Sequence, residues 1–313
     1  MDKTHSKITI IGAGMVGATV AFSIATQHLV SEIAIIDVNT VKAEGEAMDI
    51  SHGMVTMGSM DIHCGSYEND ISDSDLIIVT AGLGRKPGET RLDLAAKNVL
   101  IARDITENIM KYYKNGVIMV VANPVDILTY VIQKESGLPA GRVFGTGAVL
   151  DSARFRYLLS KKANADIKNV HGFIAGEHGE SQFAVWSSVH ISGMRFSSYC
   201  AKRGIELEKT AIMEDIVSSG AQVIQRKGVT NYAIAAIVAE LSKTVVKNSQ
   251  SIYSVTSLLD DYYGIKDVCI SVPSFVGSEG VSQHLLYDFN DEELESLKRS
   301  AKQIRDVIDN LKI

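Results

Sequence analysis

The sequence predicts an α/β protein: a doubly wound parallel sheet followed by a mixed α+β second half. Three observations predict it. Short continuous apolar runs alternate with segments of helical length through residues 1–145. The first run leads directly into Gly12-Ala13-Gly14-Met15-Val16-Gly17, a glycine turn that opens a helix. Past about residue 146 the alternation gives way to longer helices with scattered strands.

The strand candidates are Ile8–Ile11, Ile33–Ile36, Leu76–Val79, Val117–Val121 and Val143–Phe144. Strands covered by helices on both faces read as unbroken apolar runs, as these do. Between them, Val16–Leu29 and Leu92–Tyr113 have helical length, and strand–helix–strand at this spacing implies right-handed crossovers. In the second half the last helix is the clearest. Asn290 is placed to cap it and Glu293 to complete a capping box. Leu294, Leu297, Ala301, Ile304, Ile308 and Leu311 line one face, and its charges read as a solvated face. No internal repeat, low-complexity tract or linker interrupts the chain.

The chain has 313 residues, 46% hydrophobic and 22% charged, enough to bury a large core without disulfides or structural metals. Its net charge of −6 comes without a basic stripe, which argues against a nucleic-acid surface. Cys64, Cys200 and Cys269 stand far apart, in no metal-type pair, which suits a reducing compartment. No apolar stretch reaches membrane-spanning length and no secretory signal is evident, so a cytoplasmic protein is expected.

In the glycine turn, Gly12 permits the tight bend, Gly14 lets a pyrophosphate approach the backbone, and Gly17 lets helix and strand pack closely. The N–H groups at Met15 and Val16 open a helix whose positive end suits phosphates. Asp37 ends the second strand, where an acid accepts ribose hydroxyls and repels the extra phosphate of NADP. NAD is therefore the expected cofactor, against a glycine turn with a chance acid. A Rossmann-type NAD-binding domain over residues 1–145 and a catalytic domain over 146–313 follow as expectations.

Three polar clusters remain. Gly84 to Leu94 forms a Gly- and Pro-containing loop with Arg85 and Arg91, a candidate lid. Asn123-Pro124-Val125-Asp126 follows the fourth strand, at the sheet end where ligands bind. Asp151-Ser152-Ala153-Arg154 places an acid and an arginine on one helix face, and Gly176-Glu177-His178-Gly179 holds a histidine in a glycine turn. Reduction of a 2-keto acid needs these residue types. Arginine grips a carboxylate in two prongs. Histidine titrates near neutral pH. An acid fixes its tautomer, and a second cation stabilises the developing alkoxide. Arg154, His178, Asp151 and Arg91 suit these roles in that order. Taken singly, Arg154 could make a structural ion pair and His178 could be a turn histidine.

On these motifs the chain resembles the lactate/malate dehydrogenase family, most of all bacterial L-lactate dehydrogenases, from Ile8 to the last helix. The resemblance rests on Gly12 to Gly17, Lys86 to Leu94, Asn123 to Leu128, Leu150 to Arg156, and Gly176 to Gly179. It implies that His178 is the acid/base and Asp151 its partner, that Arg154 holds the substrate carboxylate, and that Arg91 polarises the carbonyl. It implies that Asn123 hydrogen-bonds within the site, before a cis proline. It also implies that Thr230 and Ile234 line the pocket near the substrate tail and the nicotinamide. No metal is implied.

Arg85 departs from the lactate pattern. The family usually has glutamine there in lactate-type enzymes and arginine in malate-type ones. By charge count, Arg85 favours oxaloacetate and L-malate, whose second carboxylate must be paired in a closed site. Glu89, Thr90, Glu177 and Thr230 look lactate-type, so pyruvate and L-lactate stand as the alternative. Arg156 and His171 match a fructose 1,6-bisphosphate effector site at a subunit interface in bacterial lactate dehydrogenases, or are ordinary surface charge. The resemblance further implies a homo-oligomer, dimer or tetramer. Glu180 stands where the family usually has aspartate. A non-enzymatic NAD-binding sensor would not need Arg91, Arg154, Asp151 and His178 together. An NAD-dependent glycoside hydrolase would need a cysteine–histidine metal set that the sequence does not show.

Overall fold

The structure, a computed structural model, describes residues 6–84, 88 and 90–313, with Arg91 described by its backbone alone. The first half runs β1 (Lys7–Ile11), α1 (Met15–Thr26), β2 (Glu32–Ile36), α2 (Thr40–His52), α3 (Met54–Met57), β3 (Asp61–Cys64), α4 (Tyr67–Asp70), β4 (Leu76–Val79), α5 (Arg91–Tyr112), β5 (Val117–Val120), α6 (Val125–Ser136) and β6 (Val143–Gly145). These six strands pair in parallel in the order β3-β2-β1-β4-β5-β6, with Ile8 opposite both Ile33 and Leu76. This is the doubly wound order, whose reversal point lies between β1 and β4.

The apolar runs are continuous because both faces are covered. Ile8, Ile10, Ile33, Ile35, Leu76 and Ile78 face one helical layer, while Ile11, Ile36, Ile77 and Val79 face the other. The five expected strands are all present. Helix α1 ends at Thr26, earlier than Leu29. Strand β3 was not expected, because only Ile62 of its four residues is buried and no apolar run marks it.

The second half runs α7 (Val149–Ala163), β7 (Val170–His171), β8 (Ile174–Ala175), β9 (Phe183–Ala184), β10 (His190–Ile191), β11 (Met194–Arg195), α8 (Phe196–Arg203), α9 (Lys209–Lys227), α10 (Tyr232–Val246), β12 (Ser251–Tyr262), β13 (Ile265–Gly277), β14 (Gly280–His284) and α11 (Asp291–Leu311). Strands β12, β13 and β14 extend the same sheet in antiparallel fashion beyond β6, making nine strands. The join is made where Thr256 pairs with Gly145. Strands this long carry no plain apolar pattern, because Ser254, Thr256, Ser257, Ser271 and Ser274 are buried within them.

Helix α11 begins with the expected Asn290–Glu293 capping box. Its charges are not all solvated, however. Glu293 is buried and accepts hydrogen bonds from the Ser187 N–H (3.0 Å) and hydroxyl (2.7 Å). Arg305 reaches Asp267 at 3.0 Å and the Tyr130 hydroxyl at 3.2 Å, tying the helix to β13 and α6. Among the described residues, no helix is long and apolar enough to cross a membrane.

Candidate active site

The glycine turn sits at the carboxyl end of β1. Gly12 has φ +114°, and a Cβ there would lie 2.6 Å from Thr80 Oγ1 and 2.7 Å from the Ala81 nitrogen. A Cβ on Gly17 would overlap the Gly12 carbonyl oxygen. The protein's own packing thus requires both glycines. Gly14 is different. Its φ of −71° is open to any residue, and a Cβ would meet nothing within 4 Å. Neither backbone nor packing explains it, whereas close approach by a phosphate does. Gly14 also caps α1 without a side-chain hydrogen bond, so no side chain competes for the first-turn N–H groups at Met15, Val16 and Gly17. Asp37 lies just past β2 and accepts from the Ala13 N–H at 2.6 Å and the Asn39 N–H at 2.8 Å. Its carboxylate is held at the turn with lone pairs to spare for hydroxyl donors. These residues fit a dinucleotide.

The second cluster assembles around α7. Asp151, 1% exposed, accepts at Oδ2 from His178 Nδ1 (2.6 Å) and at Oδ1 from an Arg154 guanidinium nitrogen (3.0 Å). The one-turn spacing on α7 makes the Arg154 contact possible, and the Gly176–Gly179 turn delivers His178 from the other side. Burial alone would lower the imidazolium pKa; the adjoining Asp151 carboxylate, helped by Asp126, outweighs it and holds the His178 pKa above its ordinary value. Burial likewise acts against the Asp151 carboxylate, but His178 and Arg154 hold its pKa below the usual range. The imidazole has Nδ1 committed to Asp151, which leaves Nε2 as the atom able to give or take a proton.

Asn123 joins the site through its backbone. Its carbonyl accepts from Asn98 Nδ2 at 2.7 Å, the Asn123–Pro124 peptide is cis, and its own Oδ1 accepts from the Val125 N–H at 3.3 Å. Asn98, 1% exposed on α5, also exchanges hydrogen bonds with both backbone groups of Leu83. It therefore couples the loop after β4 to the loop after β5. Sequence reasoning missed it, and its one signal was an amide on the buried side of an amphipathic helix. Asp126 was noticed only as part of a polar cluster. It proves to be buried behind His178 and accepts the His178 main-chain N–H at 2.7 Å.

Thr230 and Ile234 are half-buried beside the start of α10. The intervening Asn231 donates to Thr19 Oγ1 of α1 at 2.9 Å, which links the start of α10 to the helix behind the glycine turn. Arg156 is turned away from Asp151, and its Nε donates to the Val170 carbonyl at 2.8 Å, beside the exposed His171. Arg85 lies outside the described residues, as do Lys86, Glu89 and the Arg91 side chain.

Residues 6–145 match the family model of the lactate/malate dehydrogenase NAD binding domain, and residues 148–312 that of the lactate/malate dehydrogenase alpha/beta C-terminal domain. The chain is 46% identical over 311 residues to an L-lactate dehydrogenase of Thermoanaerobacterium saccharolyticum, covering 98% of this chain and 100% of that one. It is 42% identical over 315 residues to one of Acetivibrio thermocellus, covering 100% and 99%. Among solved structures, an L-lactate dehydrogenase from Clostridium thermocellum superposes with TM-score 0.88 at 49% identity, covering 98% of this chain and all of that one. The minor L-lactate dehydrogenase of Enterococcus mundtii superposes with TM-score 0.94 at 37% identity, covering 98% and 99%. The chain therefore belongs to the lactate/malate dehydrogenase family and is an NAD-dependent oxidoreductase of a 2-hydroxy acid.

Proposed function

We propose that the chain is an L-lactate dehydrogenase, interconverting pyruvate and L-lactate with NAD. The reading is carried by the His178–Asp151–Arg154 constellation, and its substrate by the full-length similarity to L-lactate dehydrogenases. The division of labour falls near residue 145, with residues 1–145 holding NAD and 146–313 supplying the catalytic groups. Bound NAD supplies the hydride-exchange chemistry. Gly12, Gly14, Met15, Val16 and Gly17 seat the pyrophosphate, Asp37 the adenosine ribose, and Asn123 and Ile234 the nicotinamide side. Arg154 pairs the substrate carboxylate in two prongs, with Thr230 by the substrate tail and Asn123 within hydrogen-bonding reach of the reacting group. In reduction His178 gives the proton on Nε2 to the carbonyl oxygen, and in oxidation it takes that proton back. Asp151 stabilises the imidazolium form, and Arg91 supplies the positive charge opposite the developing alkoxide.

A second reading has Arg85 as its specific observation. If that guanidinium enters the closed site, oxaloacetate and L-malate become the better substrates, because a bare methyl would leave it unpaired. The orientation of Arg156 toward β7 and away from Asp151 supports, in the same way, a fructose 1,6-bisphosphate effector site with His171 in a cytoplasmic homo-oligomer, dimer or tetramer. The test is NADH oxidation with pyruvate and with oxaloacetate, each with and without fructose 1,6-bisphosphate. Preference for pyruvate supports the lactate reading. Preference for oxaloacetate by orders of magnitude replaces it with the malate reading. An unchanged rate with the bisphosphate removes the effector site.

Asp37→Ser provides a check on the cofactor end. Removing the carboxylate should raise kcat/KM for NADPH relative to NADH by about tenfold or more, since a like-charge juxtaposition costs several kcal/mol. An unmoved ratio between the two cofactors would remove Asp37 from the ribose.

A further inference from the structure

Asp126, on the first turn of α6, is 2% exposed. Its Oδ2 accepts the His178 main-chain N–H at 2.7 Å, and its Oδ1 accepts the Thr256 hydroxyl in a short hydrogen bond. Thr256 Oγ1 lies 2.9 Å from Ser271 Oγ, and Ser271 Oγ accepts the Ala148 N–H at 3.0 Å. With Thr256 donating to the carboxylate, Ser271 donates to Thr256, and every proton in the chain is assigned. Thr256 and Ser271 are both fully buried. Among the described residues Asp126 has no lysine or arginine as a hydrogen-bond partner, which is unusual because a buried charge normally demands a cation. The cation that acts on it, among the described residues, is the His178 imidazolium.

We propose that Asp126 is a positioning residue for the reaction: it anchors the His178 loop to α6 through the main-chain N–H and places a second carboxylate behind the imidazole. Asp151 fixes the ring from one side, and Asp126 fixes the backbone that carries it. The inference rests on the reading of His178 as the acid/base.

Among the described residues, the groups facing these two are few. Asp126 meets His178 and Glu177 from the glycine turn and the buried Cys269 thiol from β13. His178 meets Asp151 and Arg154 from α7 and Asp126 from α6. Cys269 stays neutral, because burial pushes its thiol well above the usual value. Burial also raises Asp126, to about 6, against the lowering effect of Thr256 and His178. Near neutral pH Asp126 is therefore mostly ionised, and its charge favours the imidazolium.

The sign follows. Removing the Asp126 charge lowers the pKa of His178. Reduction of the keto acid needs the imidazolium, so the alkaline limb of its kcat/KM profile moves to lower pH. Asp126→Asn keeps the volume and an acceptor for the His178 N–H, and the Thr256 and Ser271 hydroxyls can reverse to suit the amide. The expected shift is on the order of one pH unit, with NADH affinity unchanged. Thr256→Val leaves the carboxylate but strips the hydroxyl that stabilises its charge, so Asp126 becomes more basic and the limb should move the opposite way, to higher pH, by less. If Asp126→Asn does not fold, the imidazole titration followed by NMR in Thr256→Val reads the coupling through that opposite, upward shift. His178→Asn is run in parallel. If it is inactive and neither variant moves the limb or the imidazole titration, the role of Asp126 is overturned. If it stays active, the acid/base reading of His178 fails instead.

Discussion

Replacing His178 by asparagine should reduce kcat by about 10²–10⁴-fold and leave NADH affinity near that of the parent. The reason is specific to this geometry. Asparagine fills most of the imidazole volume and can still meet Asp151 Oδ2, so the Gly176–Gly179 turn has cause to keep its path. The turn is also held from elsewhere, by the Asp126–His178 main-chain bond and by the Ser300 hydroxyl, which accepts the Glu177 N–H at 2.8 Å. What asparagine lacks is a group that titrates near neutral pH, so no proton is available for the developing alkoxide. Stopped-flow turnover together with NADH fluorescence titration separates the two effects. Turnover within about tenfold of the parent would show that His178 is not the acid/base. Joint loss of turnover and binding would make it a structural histidine.

Arg154→Leu should lower kcat/KM for the keto acid by on the order of 10³, chiefly through substrate binding. A guanidinium forms two parallel charged hydrogen bonds to a carboxylate, each contributing about 1.5–3 kcal/mol. Leucine retains part of the aliphatic stem and loses both. It also removes the cation that holds Asp151 Oδ1 at 3.0 Å, so Asp151 becomes more basic and grips the imidazolium alone. The comparison with Arg154→Lys isolates the fork. Lysine keeps the charge but not the planar pair of donors, and it should recover only part of the loss. If lysine restores full activity, a point charge suffices and the two-pronged reading is wrong. If leucine leaves KM unchanged, Arg154 serves only Asp151.

Much of this was legible in the residues. Five of the six parallel strands announced themselves because helices cover both of their faces, which leaves mainly aliphatic side chains such as Ile8, Ile10, Ile33 and Ile35, whereas the half-exposed β3 carries no such run. The glycine turn was legible because Gly12 and Gly17 each solve a steric problem that no other residue solves. The His178–Asp151–Arg154 cluster was readable from the one-turn spacing of Asp151 and Arg154 and from the family motifs, although His178 arrives from a different segment. The β12–β13 hairpin was not legible. Several of its serines and threonines find their partners inside the core, as in Ser254 Oγ donating to the Ile174 carbonyl at 2.6 Å and in the Thr256–Ser271 pair. In the chain they look like solvent-facing residues. Asp126 was hidden for the same reason: a carboxylate at the start of a helix normally reads as a dipole partner in water, and only the fold shows it enclosed behind a histidine.

Helix α6 has nine consecutive buried residues, Val125 to Gln133, because α5 covers one side and β12, β13 and α11 cover the other. Those covering elements come from both of the segments matched by the two family models. Recombining this chain with a relative at the 145–148 seam would therefore keep each segment's secondary structure and yet bring α6 of one parent against the hairpin and last helix of another. Such hybrids should inherit solubility according to how well Tyr130, Asp267 and Arg305 are matched across the parents, whichever parent donates the cofactor end. A crossover placed before Asn123 moves α6 together with β12, β13 and α11 and leaves only its α5 side to be matched between the parents.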